Sequence, residues 1–160
     1  MENEQVEYAG FWMRFVAYFI DSIIIGFIEF LVVIPLLGLM GYNLALMSTI
    51  SEIENADPEL LIPLLVSAVS GIAVSALLIT WFYYALMHSS ARQATVGKMA
   101  LSIKVTDVNG DRLTFARASL RYFSKILSGM FMMIGYIMAG FTAKKQALHD
   151  MIANTYVVRN

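Results

Sequence analysis

The sequence predicts an all-α membrane protein. It has two clear transmembrane helices, a third helical segment that is re-entrant or spanning, and a small cytoplasmic β-hairpin element. Three observations predict this class. First, 59% of the 160 residues are apolar and 14% are charged, against about 45–50% and about 25% in soluble domains. Second, two long runs carry almost no charge. Third, two short β-branched stretches follow the second run, one in the connection and one in the tail.

The same arithmetic excludes a disordered chain, a nucleic-acid binder built on a basic face, and an ordinary soluble enzyme. Net charge is −1 and there are 0 cysteines. Disulfides, thiolate metal sites and cysteine nucleophiles are therefore excluded. Residues 1–160 read as a single membrane domain, a length that fits one folding unit.

The N-terminus carries Glu2, Glu4 and Glu7 and no base. A cleaved leader has a basic start, so the first apolar run is expected to stay in the mature protein. That run, 15–42, is helix 1. As a helix it would be about 42 Å long, more than the roughly 30 Å hydrocarbon core. Pro35, Gly38 and Gly41 suggest a kink or fraying at its far end. Helix 2 is 60–87 and has no charge. Ser67, Gly71 and Ser75 recur every four residues on it, a spacing that lets another helix approach closely. That face is the expected site of homo-oligomer or partner contact.

The loop between the helices holds Glu52, Glu54, Asp57 and Glu59. The connection 88–116 holds Arg92, Lys98, Lys104 and Arg112. Lys and Arg concentrate in short cytoplasmic loops. The connection, and with it the N-terminus, is therefore expected inside a bacterial cell membrane. Trp12 and Trp81, with Tyr83 and Tyr84, then sit at the inner interface.

Two readings stand for the third segment, 117–143. It is long enough to span, but bases flank both ends, and Gly129, Gly135 and Gly140 would let it fold back. Arg117, Arg121 and Lys125 share one helix face and read as membrane-surface residues on anionic headgroups. Lys144 and Lys145 read as a second basic anchor, opening the cytoplasmic tail 144–160. Leu101–Thr106 alternates, Asn109-Gly110 is a turn signal, and Thr155–Arg159 is β-rich. A sheet joining the tail to the connection needs both on one side.

The order of three landmarks resembles the RDD family of bacterial integral membrane proteins. These are YAGFWMRFVAYFID with Arg14 and Asp21, then TVGK-LSIKV-T-DVNG, and finally QALHDMIANTYVV with Asp150. The resemblance implies that Arg14, Asp21 and Asp150 are the three name-giving residues. Asn154 stands where the family often has Gly, and Asn tolerates a left-handed backbone. Transport is only suspected for the family, with no agreed general function.

On a helical projection Asp21 lies about 20° from Arg14, and Glu29 about 60° to the other side. With Tyr18 they make one polar stripe. A mid-membrane charge costs at least about 2.5–3.5 kcal/mol on insertion scales, so such residues want partners. Arg14 is expected to meet Asp150, or else to be a snorkelling anchor. Asp21 is expected to meet Arg121 or Lys125, or to carry a cation or proton. Glu29 serves proton coupling or an interhelical hydrogen bond.

Other motifs fail. Gly97-Lys98 lacks a glycine-rich run before it, neither His88 nor His149 sits in a metal-ligand motif, and no nucleophile constellation is present. His149 beside Asp150 reads as a polar cap, and Met130, Met132 and Met133 as adaptable packing. Two functions remain. One is movement of protons or monovalent cations on embedded carboxylates. The other is a non-transporting scaffold or accessory subunit docking a partner through the stripe. The lipid bilayer is the expected partner in both, with no cofactor, metal or nucleic acid.

Overall fold

The computed structural model describes residues 7–50, 58–130 and 134–159. Helix α1 is Phe11–Ile50 and α2 is Pro58–Ser89. Both outrun their apolar stretches. Pro35 lies inside α1 and Pro63 inside α2, and neither ends its helix. In membrane helices neighbouring helices, Ser/Thr side chains and small local adjustments re-satisfy the backbone groups that a Pro frees, so Pro is tolerated there. The helix therefore continues past Pro35 to Ile50 instead of fraying. The acids Glu52, Glu54 and Asp57, and Met132 and Met133, lie outside the described residues.

The chain forms two compact units. One is Ile24–Thr80, which holds the C-terminal part of α1 and the N-terminal part of α2. Its apolar side chains, among them Phe27, Phe30, Leu31, Val66 and Val69, are exposed. An apolar surface of this extent is unfavourable in water and suited to lipid. Windows within Phe11–Leu39 and Val66–Ser89 are long and apolar enough to cross a membrane. Within this unit Thr80 Oγ1 donates to Glu29 Oε1 at 3.1 Å. A Cβ on Gly71 would meet nothing within 4 Å. The close helix approach expected along Ser67, Gly71 and Ser75 is therefore not made at Gly71 within the chain.

The second unit comprises the described residues before Ile24 and after Thr80. After α2 come α3 (Val96–Ala100) and strand β1 (Ile103–Asp107). Next are α4 (Phe115–Met130) and α5 (Ile134–Ile137), which runs into a single 3-10 turn. Helix α6 (Leu148–Ile152) and strand β2 (Thr155–Arg159) complete it. β1 and β2 pair antiparallel, with Val105 opposite Val157. The expected β element is thus real, but it is not a hairpin. The Asn109-Gly110 turn, with Gly110 at φ 89°, leads out of β1 toward α4, and the partner strand comes from the tail. Ile103, Val105, Leu113, Ala118 and Val157 form the core beneath the sheet.

The N-terminal segment was not foreseen as part of this sheet. Ala9 N–H donates to Val157 O at 2.8 Å, and Arg159 N–H donates to Glu7 O at 2.9 Å. The edge of β2 is thereby covered, which removes a free template for strand pairing.

Helix α4 is inside out. Leu120, Phe123 and Ile126 are exposed, whereas Arg121, Ser124 and Ser128 are buried. A soluble helix does the reverse. Beyond α4 the chain folds back. Tyr136 Oη donates to Lys125 O at 3.2 Å, and a Cβ on Gly135 would stand 2.9 Å from Ser128 Cα. Only glycine permits that approach. Among the described residues the third apolar segment contains no helix of crossing length. The chain after α4 thus packs back against it.

Candidate functional site

Asp150 is fully buried, on the first turn of α6. Arg121 donates from Nε to its Oδ1 at 2.9 Å, and Arg121 Nη2 also contacts Oδ1. Arg14 Nη1 donates to Oδ2, and the backbone N–H of Ala147 reaches the same oxygen at 3.2 Å. Both carboxylate oxygens are therefore occupied, and one acid joins α1, α4 and α6. Burial alone would raise its pKa. The two guanidiniums outweigh burial and hold the carboxyl well below its ordinary range.

Arg14 is tied further. Its Nε donates to Ala9 O at 2.9 Å and its Nη2 to Lys145 O at 2.6 Å. These contacts anchor it to protein and hold the N-terminal segment and the tail together. His149 packs beside the network, with Nε2 3.4 Å from Asp150 Oδ1. Burial lowers its pKa, against the pull of Asp150. It is a neutral packing and hydrogen-bonding group, in keeping with the polar-cap reading.

Asp21 is 1% exposed and forms a separate knot. Tyr83 Oη donates to Oδ1 at 2.9 Å, Gly97 N–H donates to Oδ1 at 2.7 Å, and Thr95 Oγ1 donates to Oδ2 at 2.6 Å. The expected contact with Arg121 or Lys125 is not what the structure shows. Arg121 is committed to Asp150, and three neutral donors close around Asp21 instead. Gly97 is required there, because a Cβ would lie 2.1 Å from Ala17 O. The T-V-G-K stretch thus docks the connection onto α1.

The basic residues of α4 divide. Arg117 is exposed and pairs with Asp107 at 3.2 Å. Arg121 is buried, which corrects its placement at the membrane surface. Lys125 is turned inward, its Nζ 3.8 Å from the centre of the Tyr84 ring. Lys144 and Lys145 are exposed, with Lys144 Nζ donating to Tyr156 Oη at 2.8 Å. Lys98 is buried and lies 2.8 Å from His88 Nε2. Burial first, then the charges of Arg121 and Lys125, push the Lys98 pKa well below its usual value.

Sequence reasoning missed Tyr83 and Tyr84 as site residues, and Lys98 with His88. Thr95 and Gly97 were visible as landmarks but had no role assigned. A hydroxyl and a backbone N–H carry no sequence signature as carboxylate ligands.

Two apolar helices of membrane-crossing length and a polar unit closed by a buried Arg–Asp–Arg network define a small helical membrane protein. Among the described residues no group of acids and histidines could hold a metal ion. The chain belongs to the RDD family, whose profile matches residues 8–154. It is 35% identical over 150 residues to the uncharacterized protein YxaI of Bacillus subtilis, covering 94% of this chain and 96% of that one. It is 32% identical over 157 residues to the uncharacterized membrane protein YteJ of the same organism, covering 94% and 80%. No solved structure matches it.

Proposed function

We propose that the chain is a multi-pass protein of the bacterial plasma membrane with a cytoplasmic N-terminus, acting as a non-transporting scaffold or accessory subunit. The observation that supports this reading is that the two acids of the stripe and Asp150 are already engaged. Asp150 is held by two guanidiniums, Asp21 by three donors, and Glu29 by Thr80. A carboxylate that carries cations must release and regain its partners. These are fixed ties between elements. The exposed bases Arg92 and Arg112 of the connection support the cytoplasmic side. The open surface at Gly71 suits a second copy or a partner helix.

Proton or monovalent-cation movement is the second reading, and Glu29 favours it. This acid is half-buried on an apolar helix, and a single hydroxyl reaches it among the described residues. Proteoliposome flux separates the two. The scaffold reading expects proton, Na⁺ and K⁺ movement no greater than in empty vesicles. Flux that is abolished by Asp21→Asn or Glu29→Gln, in protein that still folds, would establish transport instead.

A further inference from the structure

The polar unit encloses a cavity of about 380 Å³ that the ties described above do not use. Arg14, Lys98, Arg121 and Lys125 line it, opposed by the single acid Asp21. Asp21 is turned to its own three donors, and Asp150 neutralises only part of the arginine charge. Arg14, Arg121 and Lys125 thus set three cationic side chains around the cavity.

Two residues of this lining each carry a buried polar atom that lacks a hydrogen-bond partner: Arg121 Nη1 and Tyr84 Oη. Arg121 is 2% exposed and Tyr84 3%. Buried polar groups are ordinarily satisfied, and an orphan calls for an explanation. Both atoms can donate. Lys125 Nζ lies against the Tyr84 ring and adds a third donor beside them. An excess of cations, two unused donors and a cavity in one place describe a receptor for a negatively charged oxygen group.

We propose that this cavity is a binding site for a phosphate-type anion, with Arg121 Nη1 and Tyr84 Oη as its donors and Lys125 and Arg14 supplying charge. Planar guanidinium donors suit tetrahedral oxyanions. A bound anion also relieves the mutual repulsion of Arg14, Arg121 and Lys125. The tyrosine rings and Phe15 that complete the lining leave room for the less polar remainder of a phosphodiester. The same chemistry is met by free phosphate or by the headgroup of an anionic phospholipid.

The full chain in nanodiscs distinguishes these sources. Inorganic phosphate is titrated calorimetrically into protein in phosphatidylcholine discs. In parallel, retention of phosphatidylglycerol against phosphatidylcholine is read by native mass spectrometry. Each measurement is repeated with Tyr84→Phe and Lys125→Met. Tyr84→Phe removes a hydroxyl that bonds nothing in the protein, so the fold is left intact. The expected result is binding in one arm, weakened on the order of tenfold by each substitution. Phosphate binding assigns a free anion, and selective phosphatidylglycerol retention without it assigns a headgroup. Absence of both overturns the proposal, and so does binding that survives either substitution unchanged.

Discussion

Arg121 and Asp150 are twenty-nine positions apart in sequence and meet through a buried contact, Nε to Oδ1 at 2.9 Å. Arg14 grips the other oxygen of the same carboxylate. A buried charge left without its partner is costly, typically about 3–5 kcal/mol. Asp150→Asn strands two guanidiniums at once and is expected to destabilise the detergent-solubilised protein by about that amount. Because both arginines share one acid, Arg14→Met and Arg121→Met are expected to combine non-additively. The exposed Arg117–Asp107 pair is the control, and Arg117→Gln is expected to cost no more than about 1 kcal/mol. Chemical unfolding of the four single variants and of the arginine double variant checks these expectations.

Charge reversal tests the same geometry from another side. In Arg14→Asp with Asp150→Arg, the new arginine would face Arg121 across a buried contact. The swap is therefore expected to restore little of the lost stability. Full rescue would mean that Arg121 is not a true partner of Asp150.

Gly97 and Gly71 make opposite predictions on two helical segments. A Cβ on Gly97 would stand 2.1 Å from Ala17 O, whereas at Gly71 nothing lies within 4 Å. Gly97→Ala must displace the connection from α1 and loosen all three donors on Asp21. A loss of at least about 1–3 kcal/mol is expected. Gly71→Ala is expected to be neutral or to stabilise by up to about 1 kcal/mol through helix propensity. Thermal unfolding in one detergent compares the pair.

Lys98 sets a pH dependence. Burial holds its native pKa below the usual 10.5. Between the native value and the unfolded one, the unfolded chain binds more protons. Stability therefore rises with pH across that window. The unfolding temperature is expected to climb as pH rises toward the usual lysine range, and Lys98→Met is expected to flatten the climb. An unchanged slope in the variant would show that Lys98 is charged in the folded protein.

The sequence made some of this legible and hid the rest for physical reasons. The two long helices follow from uncharged length, and the pairing of the tail with the connection follows from β-branched alternation. The Arg14–Asp150 contact was accessible because a charge near lipid needs a counter-charge. The partners of Asp21 were not, since a hydroxyl from Tyr83 or Thr95 satisfies a carboxylate as well as a base does. The period of α4 placed Arg117, Arg121 and Lys125 on one face. It could not say that this face points inward, because in lipid the apolar side is the outer one. The Glu7–Ala9 segment has no strand pattern, and its pairing with β2 exists only because β2 offers an open edge. Asn154 was read as compatible with a left-handed backbone, and it adopts φ 50°.

The folding back of the third segment determines which groups meet, because Arg121, Asp150 and the two strands assemble only if 117–143 returns to the side from which it started. The chain has 0 cysteines, so single reporters need no background removal. Asn109 and Met151 are both exposed and lie before and after the segment. Asn109→Cys and Met151→Cys are labelled separately in intact cells with a membrane-impermeant maleimide, before and after permeabilisation. Both are expected to be protected in intact cells and to react together once the membrane is opened. Labelling of one but not the other in intact cells would mean that the segment crosses the bilayer, and the Arg14–Asp150–Arg121 network could not form.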